Sequence, residues 1–214
     1  MKGKKKTYAQ VAFLLALIVG TVLIVKQQRD MPYQKDEGFI FGTVYHVTYQ
    51  YDKDLNNEIL AELNKVDGEF SMFNKKSTVA AFNNGKKVEA SDMFMNVLTL
   101  SQDVSKDTNG AFDITVAPLV NAWGFGFKHQ KMPDQQQIDS LRKLVGMQNI
   151  NVEKLSGKTY LSKKLKNMML DFSAVAKGFG SDAVATVMRR HDIKNYMVEI
   201  GGEVVTSGLS EKRL

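Results

Sequence analysis

The stretch "MMLDFSAVAKGFGSD", residues 168–182, sets three charged residues among apolar and small ones. An apolar run ends at Asp171, small residues follow, and Lys177 sits among alanine and glycine before Asp182. Such a run reads as a strand at 167–172 delivering the chain into a helix that starts at Ser173 or Ala174. Val175, Phe179, Ala183, Val184, Val187 and Met188 then recur at helical spacing over 175–190. A helix start exposes unpaired N–H groups and a positive dipole end, a natural seat for phosphate oxygens. Small residues let a ligand approach the backbone there. Lys177 so near the helix start opposes the dipole unless an anion is close by. The same residues also read blandly: Asp171 caps the helix, the small residues allow close packing, and Lys177 is solvated. Composition leaves both readings open.

Working outward, "FIFGTVYHVTYQY" at 39–51 is rich in aromatic and β-branched residues and is expected as a strand with a tight feature at Gly42. Ile59, Leu60, Leu63, Val66 and Phe70 are spaced for a helix. A second helix is expected from Ser91 or Asp92 through Phe94, Val97, Leu98, Leu100 and Val104, ending at Asn109-Gly110. A third starts at Pro133 and Asp134 and closes at Gly146; short strands are expected at 150–155, 158–162 and 196–200. "GAFDITVAPLVNAWGFGF" fits neither period, so its backbone groups must find partners outside regular ladders, or on a polar planar ligand. Trp123, Phe125 and Phe127 are read as core filling ahead of cofactor stacking. "GGE" at 201–203 offers bare backbone inside a hairpin-like unit. The mixture is α+β, without internal repeats.

With 214 residues, 43% of them hydrophobic, the chain can bury one sizeable core. Residues 1–30 hold six basic residues against Asp30 alone, so five of the six net positive charges lie there. The near-neutral remainder argues against nucleic-acid binding, which needs a concentrated positive surface on the folded part. The uncharged run "YAQVAFLLALIVGTVLIV" follows four lysines and lacks a small-residue cleavage pattern, so it is expected to be an uncleaved membrane anchor. The expected organisation is a basic cytoplasmic tail at 1–7, a transmembrane anchor at 8–25, a linker at 26–38 and a domain at 39–214 facing the extracytoplasmic side of a bacterial cell membrane. Without cysteine there are no disulfides, and that domain depends on its core alone. His46, His129 and His191 show no metal-ligand spacing. No nucleophile elbow, phosphate loop or dinucleotide fingerprint is present.

Taken together, "FGTVYHVTY" (41–49), "DGEFSMFNKKSTVAAFN" (67–83), "GAFDITVAPLVNAWGFG" (110–126), "DFSAVAKGFGSDAV" (171–184) and "VEIGGEVVTSG" (198–208) resemble, in order, the ApbE family of FAD:protein FMN transferases. The resemblance implies an ApbE-like, T-fold-like α+β domain that binds FAD and Mg2+. It also implies transfer of FMN through a phosphoester to a threonine or serine of an acceptor protein, releasing AMP. Acceptors of that family include a subunit of a sodium-pumping quinone reductase, an Rnf-type complex and extracellular flavoproteins. Because the acceptor brings its own hydroxyl nucleophile, no triad is expected in the chain. Carried over by motif, the cofactor contacts fall on Phe41, Phe73, Ala111, Phe112, Asp113, Asp171 and Lys177, and a main-chain metal ligand falls on Ala174. Phe73 stands where the family motif has tyrosine, so ring stacking survives there and a hydroxyl contact does not. The family's remaining metal ligands and a histidine lie beyond "GGE", so the resemblance further implies truncation at the C-terminus, weak or no metal binding by this chain and poor FMN transfer. Alternatives are a non-catalytic FAD-binding protein and an FAD diphosphatase releasing FMN and AMP.

Overall fold

The computed structural model describes residues 2–125 and 132–211. A long helix, α1 (Lys2–Asp30), leads into a hairpin of β1 (Tyr33–Ile40) and β2 (Thr43–Gln50). Three helices and a short strand follow: α2 (Asn56–Phe70), α3 (Thr78–Asn83), β3 (Val88–Ala90) and α4 (Asp92–Asp107). Then come α5 (Ala117–Ala122), α6 (Gln135–Arg142), β4 (Ile150–Leu155), β5 (Lys158–Lys163), α7 (Ser173–Arg190), β6 (Tyr196–Ile200) and β7 (Glu203–Ser207). All strand pairing is antiparallel, in a four-stranded sheet of order β1-β2-β6-β7 and a three-stranded sheet of order β3-β5-β4. The α+β, ApbE-like expectation therefore holds for the folded part.

The membrane anchor does not. Among the described residues no helix is long and apolar enough to cross a membrane. At ~1.5 Å per residue the run 8–25 reaches about 27 Å, at the short end for a ~30 Å hydrocarbon core, and it contains Gln10 and Thr21. The large apolar side chains from Val11 to Val25 are exposed. The expected membrane contact and the address at a bacterial cell membrane, with an extracytoplasmic domain, fall with the anchor.

Two periodicities build the core. On β2 and β6 alternate residues point inward: Tyr45, Val47 and Tyr49 on one strand, Tyr196, Val198 and Ile200 on the other, all buried. Ile59 and Leu63 of α2 and Val184, Val187 and Met188 of α7 cover that face. A second cluster gathers around Phe70, Phe94 and Phe172, whose ring centroids lie 5.1–5.4 Å apart. Phe179 meets Phe70 edge-on at 5.7 Å. Such offset and edge-to-face pairs are the favoured geometries.

The expected strand 39–51 proves to be half of a hairpin, turned at Phe41-Gly42, with its partner β1 in the preceding polar segment. Alternation in "YQKDEGFI" is hidden because the inward positions are Gln34, Asp36 and Gly38 before Ile40, while Phe39 points outward and is exposed. The expected strand 167–172 does not form either: Met169 makes one isolated parallel bridge to Val116. Its backbone is held by side chains instead. The Asn83 amide donates to Leu170 O (2.9 Å) and accepts from Leu170 N (2.7 Å). Lys163 Nζ donates to Asn83 O (2.8 Å) and Met168 O (3.0 Å), and burial pushes its pKa below the usual lysine range.

A third tie joins the hairpin to α2. Tyr49 Oη donates to Asp36 Oδ2 (2.9 Å) and accepts from Leu55 N (2.8 Å), while Asn56 Nδ2 donates to Asp36 Oδ1 (3.0 Å). Burial raises the Tyr49 pKa; the Leu55 N–H opposes this and the Asp36 charge adds to it. Burial, then Asp36, raises Tyr45 also.

Two predictions follow from these ties. Asn83→Ala strands the N–H and C=O of buried Leu170 and is expected to cost about 2–4 kcal/mol, read as a lower urea midpoint with unchanged slope. Above pH ~10, unfolded tyrosines lose protons that folded Tyr45 and Tyr49 keep, so stability falls as pH rises through that range. Tyr49→Phe is expected to flatten that alkaline loss in pH-dependent urea unfolding, while costing about 1–3 kcal/mol at neutral pH through the orphaned Leu55 N–H.

Candidate functional site

Helix α7 begins where the pinned stretch ends. Asp171 is buried, and its Oδ1 accepts from Ser173 N at 2.7 Å, so its carboxylate closes the turn into the helix. Asp171 N donates to Ile114 O at 2.7 Å. That bond sets the 171–177 segment directly beside 111–116. On the other side of it, Asp113 Oδ1 accepts from both Thr115 N (2.7 Å) and Thr115 Oγ1 (2.6 Å), with Thr115 fully buried. Thr115 Oγ1 in turn accepts from Gly146 N (2.6 Å). Both aspartates thus spend one carboxylate oxygen on holding their own backbone.

Beside this junction lies a cleft of about 110 Å³ lined by Phe41, Phe70, Ser71, Met72, Phe73, Ser173, Ala176 and Lys177. Three of the residues expected from sequence line it: Phe41 from the first hairpin, Phe73 from the loop after α2, and Lys177 from α7. Phe73 is 61% exposed at its mouth, while Phe70 is buried at its back. Lys177 Nζ donates to Gly201 O (3.0 Å) and lies 3.7 Å from Glu203 Oε1, tying α7 to the turn between β6 and β7. In that turn Gly201 has φ +53°, and a Cβ there would meet Thr43 Cγ2 at 2.7 Å and Lys177 Cδ at 3.1 Å. The bare backbone of Gly201 serves this close approach, whereas a Cβ on Gly202 would meet nothing within 4 Å and its φ of +93° serves the turn.

Ala111, Phe112, Asp113, Asp171 and Ala174 lie outside the cleft lining. Phe112 is half-buried against the aromatic core, and Ala111 is exposed. Ser71, Met72 and Ala176 line the cleft but carry no mark in the sequence, whereas Ser173 is expected there only as a helix start and Phe70 only as one of the helically spaced residues. Nothing in their spacing separates a wall residue from a packed one. Trp123 and Phe125, expected in the core, are exposed, and Phe127 and His129 lie outside the described residues. A larger hollow of about 680 Å³ near α5 and α6, lined by Pro133, Asp134, Gln137 and Leu141 among others, contains none of the expected site residues.

The expectation of Mg2+ is overturned. Among the described residues no group of three or more His, Cys, Asp or Glu is placed to hold a metal ion. Mg2+ demands near-octahedral oxygen ligands at ~2.1 Å, whereas Asp171 turns an oxygen back onto Ser173 N. Ala174 is the second residue of α7, where its carbonyl points along the helix into the backbone ladder.

The fold and cleft define a mixed α+β domain with one small aromatic-walled cleft at the start of a long helix. The chain belongs to the ApbE family, whose model matches residues 41–213. It is 38% identical over 184 residues to the FAD:protein FMN transferase of Haemophilus influenzae, covering 80% of this chain and 53% of that protein. To the Escherichia coli K12 protein of the same name it is 31% identical, covering 83% and 54%. Among solved structures it is similar to the flavin transferase ApbE from Vibrio cholerae, with a TM-score of 0.77, 31% identity and coverage of 84% and 60%. The apo flavinyl transferase ApbE of Pseudomonas stutzeri gives a TM-score of 0.73 at 29% identity, covering 83% and 59%. The chain spans about half the length of the curated relatives it matches.

If Asp171 works through its turn, Asp171→Ala is expected to cost about 1 kcal/mol, as for a lost helix cap. Asp171→Asn keeps the accepting oxygen and is expected to stay close to the parent. Urea unfolding of the two variants separates capping from a purely charge-based role.

Proposed function

We propose that the chain holds FAD at this cleft and acts in transferring its FMN moiety to a threonine or serine hydroxyl of an acceptor protein. The acceptor oxygen forms a bond to the FMN-side phosphorus, the P–O bond to AMP breaks, AMP leaves, and the hydroxyl proton passes to solvent. Family membership supports this reading, as do relatives that bear the name FAD:protein FMN transferase. The observation that carries it is the Asp171 N to Ile114 O bond, which brings the two most family-specific motifs together beside the cleft.

Within that reading Phe41 and Phe73 flank one planar ring of the dinucleotide, an arrangement worth ~1–3 kcal/mol per stacked ring. Ser173 and Lys177 offer hydroxyl and ammonium donors to phosphate oxygens. The backbone of Ala111, Phe112 and Asp113 supplies a second polar surface, and Asp113 and Asp171 hold the two segments in place. A cleft of 110 Å³ is well under the ~300 Å³ of pockets that enclose a whole ligand, so it takes one part of FAD and leaves the rest on the surface.

The test is to incubate the full chain with FAD and an acceptor protein bearing a verified threonine, and to read the acceptor by mass spectrometry. An added FMN with released AMP is the expected result; an unmodified acceptor together with no FAD affinity would overturn the reading. FAD binding without transfer is a second reading, favoured by the lack of a carboxylate cluster among the described residues. It is told apart by flavin binding with an unmodified acceptor. Lys177→Ala, which removes one charge-assisted donor, is expected to weaken FAD about tenfold, measured by flavin fluorescence titration.

A further inference from the structure

Phe41 has a left-handed backbone, φ +54°, and is followed by Gly42 at φ +77°. Two positive φ values in a two-residue hairpin loop make a type I′ turn, where asparagine or glycine is the ordinary first residue. A bulky aromatic residue in this conformation is strained, and such strain persists only when the surroundings over-determine it. Here the surroundings are the face of α7. A Cβ built on Gly180 would lie 2.7 Å from Phe41 Cε2, 3.2 Å from Phe41 Cζ and 3.4 Å from Ile200 Cδ1. The Phe41 ring therefore rests on bare helix backbone, one turn along from Ala176 and Lys177, which line the cleft with it.

We propose that Gly180 is a positioning residue for the ligand cleft: by lacking a side chain it seats the Phe41 ring against α7 and so fixes the cleft wall on which a planar ring of the dinucleotide packs. This rests on the function proposed above. The ring cannot retreat cheaply from an added methyl, because its backbone is already held in the left-handed region and both hydrophobic clusters pack around it. Displacement goes sideways, into the narrow cleft. At Gly178, two residues back in the same helix, a Cβ would meet nothing within 4 Å, so the close approach belongs to Gly180 and not to the glycines of α7 in general.

The test compares the full chain with its Gly180→Ala, Phe41→Leu and doubly substituted variants. Each is measured for FAD affinity by flavin fluorescence, for thermal unfolding, and for the shift of the Ile200 δ1 methyl by NMR without flavin. Gly180→Ala is expected to weaken FAD about tenfold, the scale of one stacked ring, while its melting temperature changes little, because the better helix propensity of alanine offsets the cost of displacing the ring. Phe41→Leu removes the stacking ring itself and is expected to weaken FAD to a similar extent, and the doubly substituted chain is expected to lose no more than Phe41→Leu alone, because without the ring the added methyl displaces nothing. Parent-like affinity in Gly180→Ala, or losses from Gly180→Ala and Phe41→Leu that add in the doubly substituted chain, overturn the proposal. If the parent chain itself fails to bind FAD, the function proposed above fails, and the methyl still decides the packing: a shift unchanged by Gly180→Ala shows that the ring did not rest there.

Discussion

The structure depends on how residues 168–172 satisfy their backbone without belonging to a sheet. A buried N–H or C=O left unpaired costs about as much as a lost hydrogen bond, so a non-repetitive segment in the core needs specific partners. Leu170 finds both of its partners in one Asn83 amide, Met168 O takes the Lys163 ammonium, and Asp171 N reaches Ile114 O. These bonds converge from α3, β5 and the loop before α5. With the backbone pinned, Phe172 falls between Phe70 and Phe94, and α7 leaves in a fixed direction. A strand in a ladder would have been satisfied more simply, but it would not have drawn three distant segments to one point.

That junction separates two hydrophobic clusters, one under the four-stranded sheet and one around the phenylalanines, and Phe41 packs against both. The magnitudes explain why a strained residue is tolerated there. A left-handed non-glycine conformation costs of order 1–3 kcal/mol, and burying an aromatic side chain returns ~1.5–3 kcal/mol. Since Phe41 is half-buried, the two nearly cancel, so stability alone does not select phenylalanine at this turn.

How much of this was legible in the sequence follows from which signals are periodic. Ile59, Leu63, Val66 and Phe70 announced α2, and Ser91 with Phe94, Val97 and Leu98 announced α4, because a 3.6-residue repeat with a cap has few other meanings. The Ser91 hydroxyl does accept from Phe94 N. Strand β1 carries no apolar alternation, since its half-buried inward positions include Gln34, Asp36 and Gly38 and its outward face includes Phe39. The run 167–172 was misread as a strand because a fully buried segment looks the same whether a ladder or side chains hold it. Site residues were legible only where a motif marked them: Phe41, Phe73 and Lys177 meet at the cleft, while Met72 and Ala176 carry no mark beyond being apolar or small. The apolar N-terminal run shows the reverse error, in which an uncharged stretch of marginal length after lysines was read as a span.

Lys177 shows how a local argument changes once tertiary structure is known. At the start of a helix a lysine opposes the macrodipole, which on sequence alone favours a bound anion. In the structure it is the fifth residue of α7, beyond the first turn where the dipole acts most strongly. Its ammonium already has the Gly201 carbonyl at 3.0 Å and the Glu203 carboxylate at 3.7 Å. No anion is needed to account for its charge, so that reason for a phosphate site disappears. What remains in favour of one is of a different kind. The same ammonium lines the aromatic cleft and is about one-third exposed, and an ammonium has three donors, of which the Gly201 carbonyl uses one. A ligand phosphate at the cleft would add to the partners that Lys177 has, which is why the lysine can serve both the β6–β7 turn and a bound dinucleotide without choosing between them.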